Sequence, residues 1–152
     1  YVRYMKEACL LFTLDNYASK SAEKETAKKH YFTDNGLLSI FLSDSKSPLL
    51  ENICAIALNK RYNKAVELSH LYYYNRNIEV DFFVPEENLA IQVSYSIEDA
   101  DTRKREISAL VALNKIYPLK EAFIITYDEE ETIETNNLRI EVKPVWKWLT
   151  ND

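Results

Sequence analysis

The stretch that most constrains the fold is "IEVDFFVPEENLAIQVSYS", residues 78–96. Ile78, Val80, Phe82 and Val84 alternate with Glu79, Asp81 and Phe83. After a turn at Pro85 to Asn88, Leu89, Ile91, Val93 and Tyr95 alternate with Ala90, Gln92, Ser94 and Ser96. A period of two with a Pro-bearing turn between the runs is the pattern of two strands in a hairpin. The preceding run in "HLYYYNRNIEVDFFVP" is rich in tyrosine and ends at Asn75-Arg76-Asn77, which adds a third strand. Residues 100–117 then carry Ile107, Leu110, Val111, Leu113 and Ile116 on one helical face. "EAFIITYD" follows as an unbroken apolar run, the mark of a strand covered on both faces.

A helix precedes these strands. Ser47 suits an N-cap and Pro48 the first helical position, where its missing N–H is not needed. Leu50, Ile53, Cys54, Ala57 and Leu58 form its apolar stripe, with Glu51 beside it. The element order is α-β-β-β-α-β, followed by a strand at 138–143 and a helical turn from Val145 to Leu149. Mixed elements around one sheet argue an α/β layer domain, with residues 47–152 as the core. Residues 1–46 form an N-terminal segment packed on it. There, residues 2–14 read as a helix through Val2, Met5, Cys9 and Phe12, and the lysine-rich residues 15–29 as a loop or arm. "HYFTDNGLLSIFL" reads as a short extended piece, a turn at Asp34-Asn35-Gly36, and an apolar helical turn.

Composition removes several functions. With one glycine in 152 residues, neither G-x-x-x-x-G-K-[ST] nor G-x-G-x-x-G can be written, so no nucleotide cofactor is held by either loop. A net charge of −5 counts against strong autonomous binding to nucleic acid, though not against a local basic face. Cys9 and Cys54 sit in separate apolar runs without a C-x-x-C, which suits two buried thiols in a reducing cytoplasm. No apolar run reaches the roughly 18 residues of a membrane span, and no secretory signal is present. The chain begins at Tyr1, not at methionine, as a C-terminal piece of a longer protein would.

Metal-dependent phosphodiester cleavage needs hard oxygen ligands and a group that orients or deprotonates water. One solution takes an acid from a helix, an acid from a strand, and an acid and a lysine two residues apart on the next strand. Glu51, Asp81 and the pair Gln92 and Ser94 occupy comparable positions. Plainer roles stand beside these. Glu51 near a helix start gains about 0.3–1 kcal/mol from the dipole. Arg103, Lys104 and Arg105 can grip phosphates, or pair with Glu98, Asp99, Asp101 and Glu106 on a solvated face. His30 and His70 lack ligand spacing. Tyr72 to Tyr74 can stack bases or fill an aromatic strand, and Trp146 and Trp148 suit core anchoring or an interface.

Taken together, "HYFTDNGLLSIFL", "LLENICAIAL", "IEVDFFVP", "LAIQVSYS" and "DTRKREISAL" resemble the PD-(D/E)XK nuclease-like superfamily. More closely, they resemble the C-terminal domain of unknown function that follows the motor domain in many bacterial and archaeal AAA-type ATPases. The resemblance implies a restriction-endonuclease-like αβββαβ core with a mixed central sheet. It maps the helix acid onto Glu51, the strand acid onto Asp81, the acid of the (D/E)XK onto Gln92 and its lysine onto Ser94. Glu51 and Asp81 would then be the Mg²⁺ ligands. Gln92 and Ser94 depart from the pattern: one is a neutral ligand and the other carries no positive charge. Removing preorganised electrostatics of this kind costs roughly 10²- to 10³-fold per group. The resemblance therefore implies a non-catalytic accessory domain of an ATPase, bound to DNA or to protein. Its rivals are a Mg²⁺-dependent nuclease using Glu51, Asp81 and Gln92 with the lysine's role supplied otherwise, and an oligomerisation or regulatory module, homo-oligomers included.

Overall fold

The computed structural model describes residues 1–19, 28–42, 46–63, 70–135 and 137–150, and among these described residues it holds eight strands and five helices. The core order is α3 (Lys46–Tyr62), β3 (Tyr72–Asn75), β4 (Glu79–Val84), β5 (Leu89–Val93), α4 (Ala100–Ile116) and β6 (Glu121–Thr126). β7 (Glu131–Thr135), β8 (Leu138–Pro144) and α5 (Val145–Thr150) follow. The strands form one mixed sheet in the order β3-β4-β5-β6-β8-β7. β3, β4 and β5 pair antiparallel, whereas β5, β6 and β8 run parallel. "EAFIITYD" thus lies at the centre of the sheet, as its unbroken apolar run requires.

Two apolar layers cover the sheet. Leu110 and Leu113 of α4 pack on Val80, Phe83, Ala90, Ile124 and Ile140. On the opposite face Cys54, Ala55 and Leu58 of α3 pack with Phe82, Val84, Ile91 and Ile125, joined by Leu14, Tyr31 and Trp148. Asp99 caps α4 by accepting the Thr102 N–H at 2.8 Å. Among the described residues no helix is long and apolar enough to cross a membrane.

The N-terminal segment holds α1 (Val2–Glu7), β1 (Leu11–Asp15), β2 (Lys28–Phe32) and α2 (Asn35–Phe41). The helix expected over residues 2–14 is short. It stops at Glu7, Cys9 takes a φ of 57°, and residues 11–15 pair antiparallel with β2. Long-range pairing has overridden a helical period that local spacing alone suggested. Cys9 is consequently exposed, while Cys54 is buried as expected. The lysine-rich stretch ends in strand: Lys28 and Lys29 belong to β2, and the rest of it lies outside the described residues apart from its first few positions. Asp34 caps α2 through the Leu37 N–H. α3 already includes Lys46, so Ser47 sits inside its first turn and not ahead of it. Its buried side includes Asn52 and Ala55, with Ile53 and Ala57 only half-buried. Ile116, expected inward, is half-exposed, and Glu106 takes a buried position on α4 instead. Trp148 joins the core, but Trp146 is 61% exposed.

Candidate functional site

The site is built where β4 loses its regular period. Tyr72 faces Phe83 and Tyr74 faces Val80, so β4 carries one more residue than β3 over this interval. Such a bulge leaves two consecutive side chains on one side and is a common device for re-aiming a group. Asp81 and Phe82 both turn toward the α3 face: Phe82 into the core, Asp81 toward Glu51 and β2.

The β4–β5 backbone ladder covers Phe82 to Val84 and stops at Asp81. Side chains bridge the opening beyond it. The Asp81 N–H donates to Gln92 Oε1 at 2.9 Å, Gln92 Nε2 donates to the Glu79 carbonyl at 3.1 Å, and the Val93 N–H donates to Asp81 Oδ2 at 3.0 Å. Gln92 is 4% exposed and behaves as an inserted peptide group, offering one acceptor and one donor to the neighbouring main chain. Ser94 donates to the Ser96 carbonyl at 2.8 Å, which engages its hydroxyl locally.

Lys29 reaches Asp81 from outside the core. Its Nζ lies 2.7 Å from Glu79 Oε1, 3.0 Å from Asp81 Oδ1 and 3.5 Å from Glu51 Oε1. Tyr31, two residues along β2 and on the same face, donates its hydroxyl to Glu51 Oε1 at 2.7 Å. The position of β2 is fixed by buried Asn52. Its side chain accepts the Phe32 N–H at 2.9 Å and donates to the Phe32 carbonyl at 3.1 Å and to Asn35 Oδ1 at 2.7 Å. One residue of α3 therefore clamps β2 while its neighbour Glu51 meets the two side chains that β2 presents.

Burial and the Glu51 charge raise the Asp81 carboxyl to about 6, against the lowering pull of Lys29 and the Val93 N–H. Burial would depress the Lys29 ammonium, but the Asp81 and Glu51 charges and its hydrogen bonds to Glu79 and Asp81 hold it above its usual range. Burial and Glu51 likewise lift the Tyr31 phenol. A cavity of about 760 Å³ opens beside the cluster, walled by Ile78, Glu79, Gln92 and Val93 on the sheet and by Arg105 and Ala109 on α4.

The structure thus brings Glu51, Asp81 and Gln92 beside one cavity, with the Gln92 amide committed to the β4 main chain, and leaves Ser94 bonded to Ser96. Arg103 makes a two-bond pair with Glu131, one of 2.8 Å, and Arg105 donates to buried Glu106 at 2.7 Å. Lys104 is exposed beside them. His70 approaches Glu86 at 3.3 Å, and Tyr73 and Tyr74 are buried in the sheet.

This chain is 33% identical over 156 aligned positions to an uncharacterized protein of Methanocaldococcus jannaschii, an alignment covering 97% of this chain and 35% of that relative. The chain thus spans about a third of the length of the curated relative it matches. No family model matches the chain, and no solved structure matches it.

The resemblance implies Mg²⁺, and the donor set does not fit it. Among the described residues no three acidic, histidine or cysteine side chains are spaced to hold a metal ion. Both Asp81 oxygens already accept hydrogen bonds, and an ammonium lies among the carboxylates. The sequence patterns leave Lys29, Tyr31, Glu79 and Asn52 outside the candidate site. A signal existed in "KKHYF", where Lys29 and Tyr31 share one side of a possible strand.

Proposed function

We propose that this chain is a restriction-endonuclease-like domain without nucleolytic activity, serving as an accessory, partner-binding domain of a cytoplasmic AAA-type ATPase. The observation that carries the reading is Gln92: its amide is committed to the Asp81 N–H and the Glu79 carbonyl, a role that a metal-binding carboxylate cannot fill. The element order and the meeting of Glu51 with Asp81 support the frame, and the engagement of Ser94 supports the loss of its chemistry. Function resides in the site and not in the scaffold, so the missing acid and lysine weigh more than the frame. The net charge of −5 and the carboxylate pairing of Arg103 and Arg105 favour a protein partner over DNA.

A second reading is favoured by Lys29, whose ammonium near Asp81 could stand in for the lysine absent at Ser94, making a Mg²⁺-dependent nuclease. Incubation of plasmid and linear DNA with the chain and Mg²⁺ or Mn²⁺ separates the two. The accessory domain cleaves no faster than its Asp81→Ala variant. Cleavage that Asp81→Ala abolishes overturns the proposal. A gel-shift series over rising salt then distinguishes DNA from protein as partner, since phosphate contacts weaken steeply with salt.

A further inference from the structure

We infer that the Lys29 ammonium is the resident cation of the Glu51–Glu79–Asp81 cluster, a tethered substitute that keeps the carboxylates gathered and holds divalent metal out. The inference rests on the non-nucleolytic reading above and says what has replaced the metal. The three carboxylates come from α3 and β4, yet an oxygen of each lies within 3.5 Å of one nitrogen. Their spacing suits an ammonium. Mg²⁺ draws oxygens to about 2.0–2.1 Å and Ca²⁺ to about 2.3–2.6 Å, so either ion would have to expel the ammonium and pull the cluster inward.

Expulsion is opposed on every side. Lys29 projects from a strand paired along its length with β1 and clamped at Phe32 by Asn52, so its reach is fixed by the fold. Its ammonium also lies 5.6 Å from the centre of the Tyr73 ring, a further favourable contact for a cation. The Glu51 oxygen that faces it also accepts the Tyr31 hydroxyl, and the second Asp81 oxygen accepts the Val93 N–H. Both positioning donors belong to the same arrangement that seats the lysine. Removing the ammonium leaves three carboxylates with no cation among them, the state in which a divalent ion is most favoured.

The test is Mn²⁺ titration of the purified chain, of Lys29→Met, of Lys29→Arg, and of Lys29→Met combined with Asp81→Asn. Lys29→Met gains at least tenfold in Mn²⁺ affinity over the wild-type chain. Lys29→Arg shows no gain, and Asp81→Asn removes the gain from Lys29→Met. A folded Lys29→Met that binds no better than wild type overturns the inference. If Lys29→Met is unfolded without metal, Mn²⁺ restores a cooperative thermal transition, and failure to restore it is equally fatal. Affinity reads the inference and DNA cleavage reads the function. A wild-type chain that cleaves yet binds Mn²⁺ more weakly than Lys29→Met overturns the function alone. An inert chain whose Lys29→Met form gains nothing overturns the inference alone.

Discussion

Gln92→Glu places a carboxylate at the position to which the nuclease pattern assigns one, and it is the substitution on which the two readings of the site part most sharply. In the structure Gln92 Nε2 donates to the Glu79 carbonyl at 3.1 Å, and Oε1 accepts the Asp81 N–H at 2.9 Å, with the side chain 4% exposed. A carboxylate keeps the second bond and loses the first, setting an anionic oxygen against a carbonyl oxygen in a buried gap. The lost bond costs about 1 kcal/mol, and the orphaned buried carbonyl about 1–3 kcal/mol more. A total of roughly 2–4 kcal/mol lowers the Tm of a chain this long by roughly 5–15 °C. Protonation changes the balance, because a neutral carboxyl can donate its O–H to the Glu79 carbonyl. The introduced group therefore has its folded-state pKa raised above its unfolded value of about 4.3. Relative stability is highest below that unfolded value and is lost as pH rises through the folded one. Thermal melts by circular dichroism at about pH 4.5 and about pH 7.5 thus show a deficit that grows with pH. An unchanged Tm at the higher pH, or a Tm that Mn²⁺ raises in Gln92→Glu and not in the wild type, would show that position 92 still belongs to a working metal site.

Two further outcomes follow from the same geometry. Asn52→Ala strips three hydrogen bonds from α3 and leaves the Phe32 N–H and carbonyl without their side-chain partner, so chemical denaturation gives a loss of roughly 2–4 kcal/mol. The Asp81 carboxyl titrates near pH 6 by carbon-detected NMR, and Glu51→Gln moves it down, because the Glu51 charge is among the forces holding it up. Since the folded state holds that proton more tightly than the unfolded one, this group's contribution to stability falls as pH rises from about 4 to about 6 and is flat above. A carboxyl that titrates in the ordinary range in the wild type would remove the like-charge account of the cluster.

The core was legible where one physical demand acted on each segment. The apolar content of β4 and β5, the unbroken apolar run of β6 and the apolar stripe of α4 each report burial over a short stretch of chain. β7 leaves no mark in the sequence because its burial is slight, with no apolar alternation in "ETIET". The helical period over residues 2–14 fails beyond Glu7 for a different reason. Leu11 and Leu14 lie on a strand paired with β2, and Leu14 packs with Tyr73 of β3 and Phe82 of β4, at sequence distances that a local period cannot express. The same limit hid half the site. Glu51 and Asp81 were identifiable because their surroundings in sequence place them on a helix and a strand. Lys29 carries no such mark: its role arises only when β2 is clamped by Asn52 beside α3. The bulge at Asp81 shows the subtler case. The alternating pattern treats Phe83 as Asp81's companion on one face, yet the extra residue puts Phe82 beside Asp81 and sends Phe83 to the other core. That irregularity opens the ladder, the opened ladder demands an amide, and glutamine satisfies the demand where glutamate cannot. The residue that reads in sequence as a decayed ligand is, in the fold, the group that keeps β4 and β5 joined beside the Lys29 ion pairs.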